Sequence, residues 1–177
     1  MFAIILFYLF ASLALYIILA GADFGAGILE LFSAKRFLQR HQHLTYTAIG
    51  PVWEANHIWL ILIIVILFSV FPPVYAVIST YLHIPLLLML VGIIFRGTAF
   101  AFRHYDAIKD GSQRYYSALF TYSSFLTPLF LGTVAGASML GRIDPQAGSF
   151  YAAFVAPWLN GFSFSVGLLF CGISAFA

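Results

Sequence analysis

Five ionisable side chains set in or beside apolar stretches, Asp23, Glu54, His57, His83 and Arg96, are where this sequence could do chemistry. Glu54 and His57 stand three apart in the run Gly50-Pro51-Val52-Trp53-Glu54-Ala55-Asn56-His57-Ile58-Trp59. On a helix that spacing puts them on one face, where they can share a proton or a hydrogen bond. An ionisable group is expensive in lipid, so its first reading is functional. Burial penalises the charge on Glu54 and a nearby Arg96 would restore it, and opposed influences of this kind make a carboxylate usable as a proton relay. The pattern suits a protein that handles protons or supports a redox centre. The same run also reads as a plain helix entry, with Pro51 at the start, Glu54 beside the positive end of the helix dipole, and Trp53 and Trp59 as interfacial anchors. The two readings are compatible. Trp53 shares the face of Glu54 and His57, and Trp59 is expected to point away from it.

The elements that position these groups are helices. At 100° per residue, Ser12, Tyr16, Asp23, Gly27 and Glu30 fall on one stripe of the first apolar segment. A polar stripe on a membrane helix must face protein or water, so it is either a packing surface or a hydrated proton route with Asp23 at its centre. Gly21 and Gly25 lie nearly opposite, at the small-xxx-small spacing of closely packed helices. Arg96 and Arg103 are seven apart and share a face; Arg96 is expected to pair with Glu54 or Asp23, and Arg103 to sit at the interface. Pro128, Gly132 and Gly136 recur at fourfold spacing, as in close packing with a kink. His57 and His83 read as satisfied interior histidines, not haem ligands, and His41 and His43 as loop residues. The single Cys171 reads as a small core residue. No nucleotide loop, nucleophile triad or zinc motif is present, so no catalytic or metal-ligating residue is assigned.

Composition identifies the solvent. The chain has 63% hydrophobic and 8% charged residues against roughly 25% charged in a soluble domain, and its mean hydropathy is +1.00. The net charge of +2 comes from a few loop residues and carries no argument for nucleic-acid binding. About 20 apolar residues cross a bilayer; candidate spans run over residues 3–32, 53–71, 75–98, 116–140 and 157–177. The first lacks a basic leader and exceeds a signal-peptide core, so it reads as a retained helix. Phe71-Pro72-Pro73 makes the turn between the second and third spans. The expected fold is all-α, a polytopic transmembrane bundle of about five spans. Residues 1–140 form a first four-helix half, 141–156 an extracytoplasmic linker, and 157–177 the start of a second half. Lys35, Arg36 and Arg40 follow the first span and Arg103, Lys109 and Arg114 the third, against Arg142 alone on the other side. That bias places the N-terminus outside the cytoplasm. The apolar run into Ala177 has no polar flank, which predicts further chain beyond it.

Three ordered runs resemble a known family: Gly21-Ala22-Asp23-Phe24-Gly25-Ala26-Gly27, then Ile49 through Leu60, then Phe95-Arg96-Gly97 through Phe102-Arg103. Together they are similar to subunit II of the cytochrome bd-type ubiquinol oxidases, including the cyanide-insensitive branch, most strongly over residues 1–105. The family motif comprises Gly21, Gly25, Gly27, Pro51, Trp53, Asn56, Trp59 and Arg103 beside the polar cluster of Asp23, Glu54, His57 and Arg96. The resemblance implies a haem-free subunit of a terminal oxidase in the bacterial cytoplasmic membrane. Haems b and d, and oxidation of the quinol substrate, would then belong to a partner, subunit I. This subunit would pack against it, with membrane lipid and small accessory subunits around, and would support proton or oxygen access. Glu54 stands where aspartate is also used, Ala22 replaces a bulkier aromatic, and Ala101 occupies a place where some members carry an acid. The last departure weakens a proton path through the third span. Members of the family have eight spans in two four-helix halves, about twice this length. A competing reading is a secondary transporter, with Asp23, Glu54 and Arg96 as its ion or substrate site.

Overall fold

The computed structural model describes residues 2–33, 45, 47, 50, 53–105 and 112–177, without the side chains of Glu54, His104 and Tyr105. It is a membrane helix bundle with no strand among the described residues. The helices are α1 (Phe2–Phe32), α2 (Trp53–Val70), α3 (Pro72–Tyr81), α4 (His83–Tyr105), α5 (Gln113–Leu140), α6 (Phe150–Phe154) and α7 (Gly161–Phe176). Among the described residues α1, α5 and residues 83–103 of α4 are each long and apolar enough to cross a bilayer. α2 and α3 qualify together, folded back by 118° where Phe71 separates them. α7 is a shorter apolar helix of 16 residues. The expected fifth span at 157–177 starts late because Asn160 caps the helix, its side chain accepting from the Ser163 amide at 2.9 Å.

The third span differs from expectation. It was expected unbroken over 75–98, but helix resumes at Pro72 and is interrupted at Leu82. Helical bonding still crosses the break, from Leu82 N–H to Ile78 and from Leu86 N–H to Leu82. Pro85 explains the interruption: it has no N–H to give Tyr81, and its ring crowds that carbonyl. His83 Nδ1 bonds the Thr80 carbonyl at 2.7 Å. Beyond the break, α4 runs past 98 to Tyr105 and carries Arg103 on the helix.

α5 ends at Gly141, which takes the left-handed conformation (φ 64°) that a residue with a Cβ resists. The linker then folds back, and Phe154 of α6 stacks on Tyr81 and meets His83 edge-on. α1 packs against α2, α5 and α7, and α5 also packs against α4. α7 seats directly on α1 and α5. A Cβ on Gly132 would lie 2.6 Å from the Gly167 Cα, and one on Gly25 would collide with the Ser174 backbone. The glycines at 25, 132 and 136 therefore serve the close packing their spacing suggests. Hydroxyls buried in α5 turn back on their own helix: Thr121, Ser123, Ser124 and Thr127 donate to the carbonyls of Ser117, Leu119, Phe120 and Ser123.

Candidate functional site

The polar stripe of α1 is buried: Ser12, Tyr16, Asp23 and Glu30 are each at most 4% exposed. Its two acids face two arginines of α4. Arg96 Nη1 donates to Asp23 Oδ2 at 2.6 Å, and Nη2 donates to Oδ1 and to the Asp23 carbonyl, both at 2.7 Å. Its Nε donates to Ser124 Oγ of α5 at 2.9 Å. Arg103 Nη1 and Nη2 hold Glu30 Oε2 and Oε1 at 2.8 and 3.0 Å. Both are forked guanidinium–carboxylate pairs, the strong geometry for this bond.

The register reveals the topology. Asp23 and Glu30 are seven apart, as are Arg96 and Arg103, and the lower-numbered acid pairs with the lower-numbered arginine. Only helices running the same way pair so; antiparallel helices would match Asp23 with Arg103. α1 and α4 are therefore parallel, as one intervening pass through α2 requires.

The backbones of α1 and α4 barely approach each other, and the ring of Phe120 from α5 fills the space between the two pairs. Arg96 Cζ lies 5.0 Å from its centroid and Arg103 Cζ 4.6 Å, while Phe24 covers Arg96 from α1 at 5.0 Å. Cations over ring faces at these distances are attracted by the aromatic quadrupole. Gly27 makes room: a Cβ there would collide with Ser124 and sit 3.3 Å from Phe120.

α2 flanks this ladder. Asn56 Nδ2 donates to the Leu19 carbonyl at 3.3 Å, and His57 lies beside the rings of Tyr16 and Phe24, with centroids 6.4 and 6.5 Å apart. Trp53 packs on Phe100 and against Gly97. Trp59, expected to point away from His57, instead packs on the same buried cluster of Tyr16, Ala20 and Phe24. Asn56, His57 and Trp59 thus all meet α1, and Trp53 meets α4. Gly21 lies beside Ser174 of α7.

Arg96 takes Asp23, one of the two partners its position suggested. Arg103, expected at the interface, is instead buried and paired with Glu30; the longer α4 and the parallel register bring the two together. The Glu54 side chain, and with it the suggested sharing of a proton with His57, lies outside the described residues, as do Pro51, His41 and His43. No group of three or more His, Cys, Asp or Glu converges among the described residues. Sequence reasoning missed Phe24, Phe120 and Ser124. The matched seven-residue spacings could have disclosed the second ion pair, but nothing marks Phe120 among 20 phenylalanines.

The arrangement is closed and charge-balanced. Side-chain exposure is 3% and 1% in one pair and 5% and 1% in the other. It can tie helices together and hold fixed charge near their far ends.

Comparison with known proteins agrees with the motif. The family model described as "Cytochrome bd terminal oxidase subunit II" matches residues 1–177. The chain is 35% identical over 88 residues to the cytochrome bd ubiquinol oxidase subunit 2 of Bacillus subtilis (strain 168), covering 50% of this chain and 25% of that one. It is 26% identical over 156 residues to the cytochrome bd-I ubiquinol oxidase subunit 2 of Escherichia coli (strain K12), covering 86% of this chain and 40% of that one. It is 28% identical over 134 residues to a putative cytochrome bd menaquinol oxidase subunit II of Bacillus subtilis, covering 76% and 38%. The chain thus aligns with between a quarter and two fifths of the length of these relatives.

Proposed function

Because the chain belongs to the cytochrome bd terminal oxidase subunit II family, we propose that it is the haem-free partner of a haem-bearing subunit I. The assembly would oxidise quinol and reduce oxygen to water in the bacterial cytoplasmic membrane. The observation that carries this reading is the closed ladder of Asp23–Arg96 and Glu30–Arg103. Buried charge is costly in a bilayer; here it is spent on holding α1 parallel to α4 with α5 wedged between them, a rigid frame for a neighbour to dock on. The haems b and d, held by that neighbour, supply the oxygen chemistry. Of the two histidines whose side chains are described, His83 bonds the Thr80 carbonyl and meets Phe154, and His57 lies beside the rings of Tyr16 and Phe24.

Within this reading Asp23 is an anchor, since both its carboxylate oxygens are taken by Arg96. Glu54 is the carboxylate that would assist proton supply from the cytoplasmic side. The basic-residue bias supports an N-terminus outside the cytoplasm. A transporter reading draws no support from the ladder, because Arg96 and Arg103 present their paired donors to this chain's own acids and not to a solute.

The test begins with the intact assembly from native membranes, which should contain a haem-bearing chain in constant ratio to this one. An assembly without iron porphyrin overturns the proposal. In Glu54→Gln, slower oxygen reduction at unchanged haem content supports a part in proton supply. Loss of haem instead assigns Glu54 to assembly.

A further inference from the structure

Among the described residues, two buried polar atoms at the seam between α1 and α2 lack a hydrogen-bond partner: the Tyr16 hydroxyl and His57 Nδ1. Tyr16 is 1% exposed and Nδ1 is shut off from the surface, so neither lipid nor a docking chain reaches them directly. Their rings lie 6.4 Å apart between centroids, tilted by 48°, with no direct bond between them. Ala20 and Phe24 are buried beside Tyr16, with Trp59, Leu60 and Ile63 packed around. An unsatisfied hydroxyl in so apolar a place is costly, and a buried polar group without a protein partner usually has an ordered water.

We infer that Tyr16 and His57 hold one internal water molecule between them. The water accepts from the Tyr16 hydroxyl and donates to Nδ1 of an imidazole whose own proton is on Nε2. Two polar partners meet the minimum for an ordered buried water. The small cavity on the other side of Tyr16, bounded by Gly21 and Phe24 of α1, Pro128 and Leu131 of α5, and Ser174 of α7, does not include His57 and is separate from this site. The Asp23–Arg96 pair does not compete for the site, because its forked bonds are already made. The bound water extends the polar stripe of α1 beyond its ion pairs. The inference concerns this seam alone and stands or falls separately from the oxidase reading.

The test uses the intact assembly purified from membranes. A density map that resolves buried waters should show a peak about 2.7–3.2 Å from both Tyr16 Oη and His57 Nδ1. A direct Tyr16–His57 bond, the Glu54 carboxylate on Nδ1, or a seam without density where other internal waters are visible overturns the inference. A second measurement uses ¹⁵N-histidine-labelled assembly in solid-state NMR, with His57 assigned by the signal lost in His57→Leu. An unprotonated Nδ1 with a cross-peak to water is expected, and that cross-peak should vanish in Tyr16→Phe. A protonated Nδ1, or a water cross-peak that survives Tyr16→Phe, sinks the shared site.

Discussion

Toward α4, α1 reaches across a gap with Asp23 and Glu30 to grip two arginines, whereas toward α7 it presents Gly21 and Gly25 so that Ser174 comes close to its backbone. Lipid gives little hydrophobic drive for helices to associate, so van der Waals contact and polar bonds must hold them. The two seams divide these means between them. The ionic seam spans distance but demands chemistry, a forked donor opposite each carboxylate. The glycine seam accepts almost any apolar neighbour but demands shape, because a single added methyl meets backbone.

The comparison breaks first on the ionic side. Arg96→Met strands the Asp23 carboxylate in the bundle and should cost about 3–5 kcal/mol, while the double variant Arg96→Met with Asp23→Leu should recover most of it. Thermal stability of the purified assembly in detergent measures both; equal losses in single and double variants would show that the charges are not coupled. Next, Gly132→Ala places a methyl 2.6 Å from the Gly167 Cα and 2.9 Å from the Val166 carbonyl. Parting α5 from α7 should cost about 1–3 kcal/mol, and a neutral result in the same assay would deny the close seam. Arg103→Lys keeps the charge but loses the fork on Glu30, and a loss of about 1.5 kcal/mol is expected. If lysine serves as well as arginine there, geometry matters less than charge. The smallest effect is Gly172→Ala, where nothing lies within 4 Å of the added carbon. Relief of helix flexibility should raise stability by about 0.5 kcal/mol, and a clear loss would mean that α7 has a neighbour on that face.

Much of this was legible beforehand. The stripe Ser12, Tyr16, Asp23 and Glu30 follows from helical periodicity, since hydrocarbon admits polar groups only where protein or water satisfies them. The glycine spacings at 21/25 and 132/136 likewise marked close packing. Other features depended on relations between helices that no local pattern carries. Arg103 seemed interfacial because the third span was expected to end at residue 98; only the extended α4, lying parallel to α1, sets it opposite Glu30. The break at Leu82 has its local cause in Pro85, but a proline inside a helix can equally leave a kinked and continuous one. Trp59 was assigned a direction from its angle about α2 alone, which leaves out where α1 lies.

Sequence alone determined the solvent of this chain, the approximate places of its apolar segments and the family motif, because hydropathy and spacing along one helix are local properties that neighbours hardly alter. Tertiary structure decided which acid meets which arginine, that Phe120 separates the two pairs, and that Tyr16 and His57 share a seam. Those outcomes depend on the direction, depth and rotation of several helices at once, and the ion pairs and glycine contacts set these only when the bundle closes.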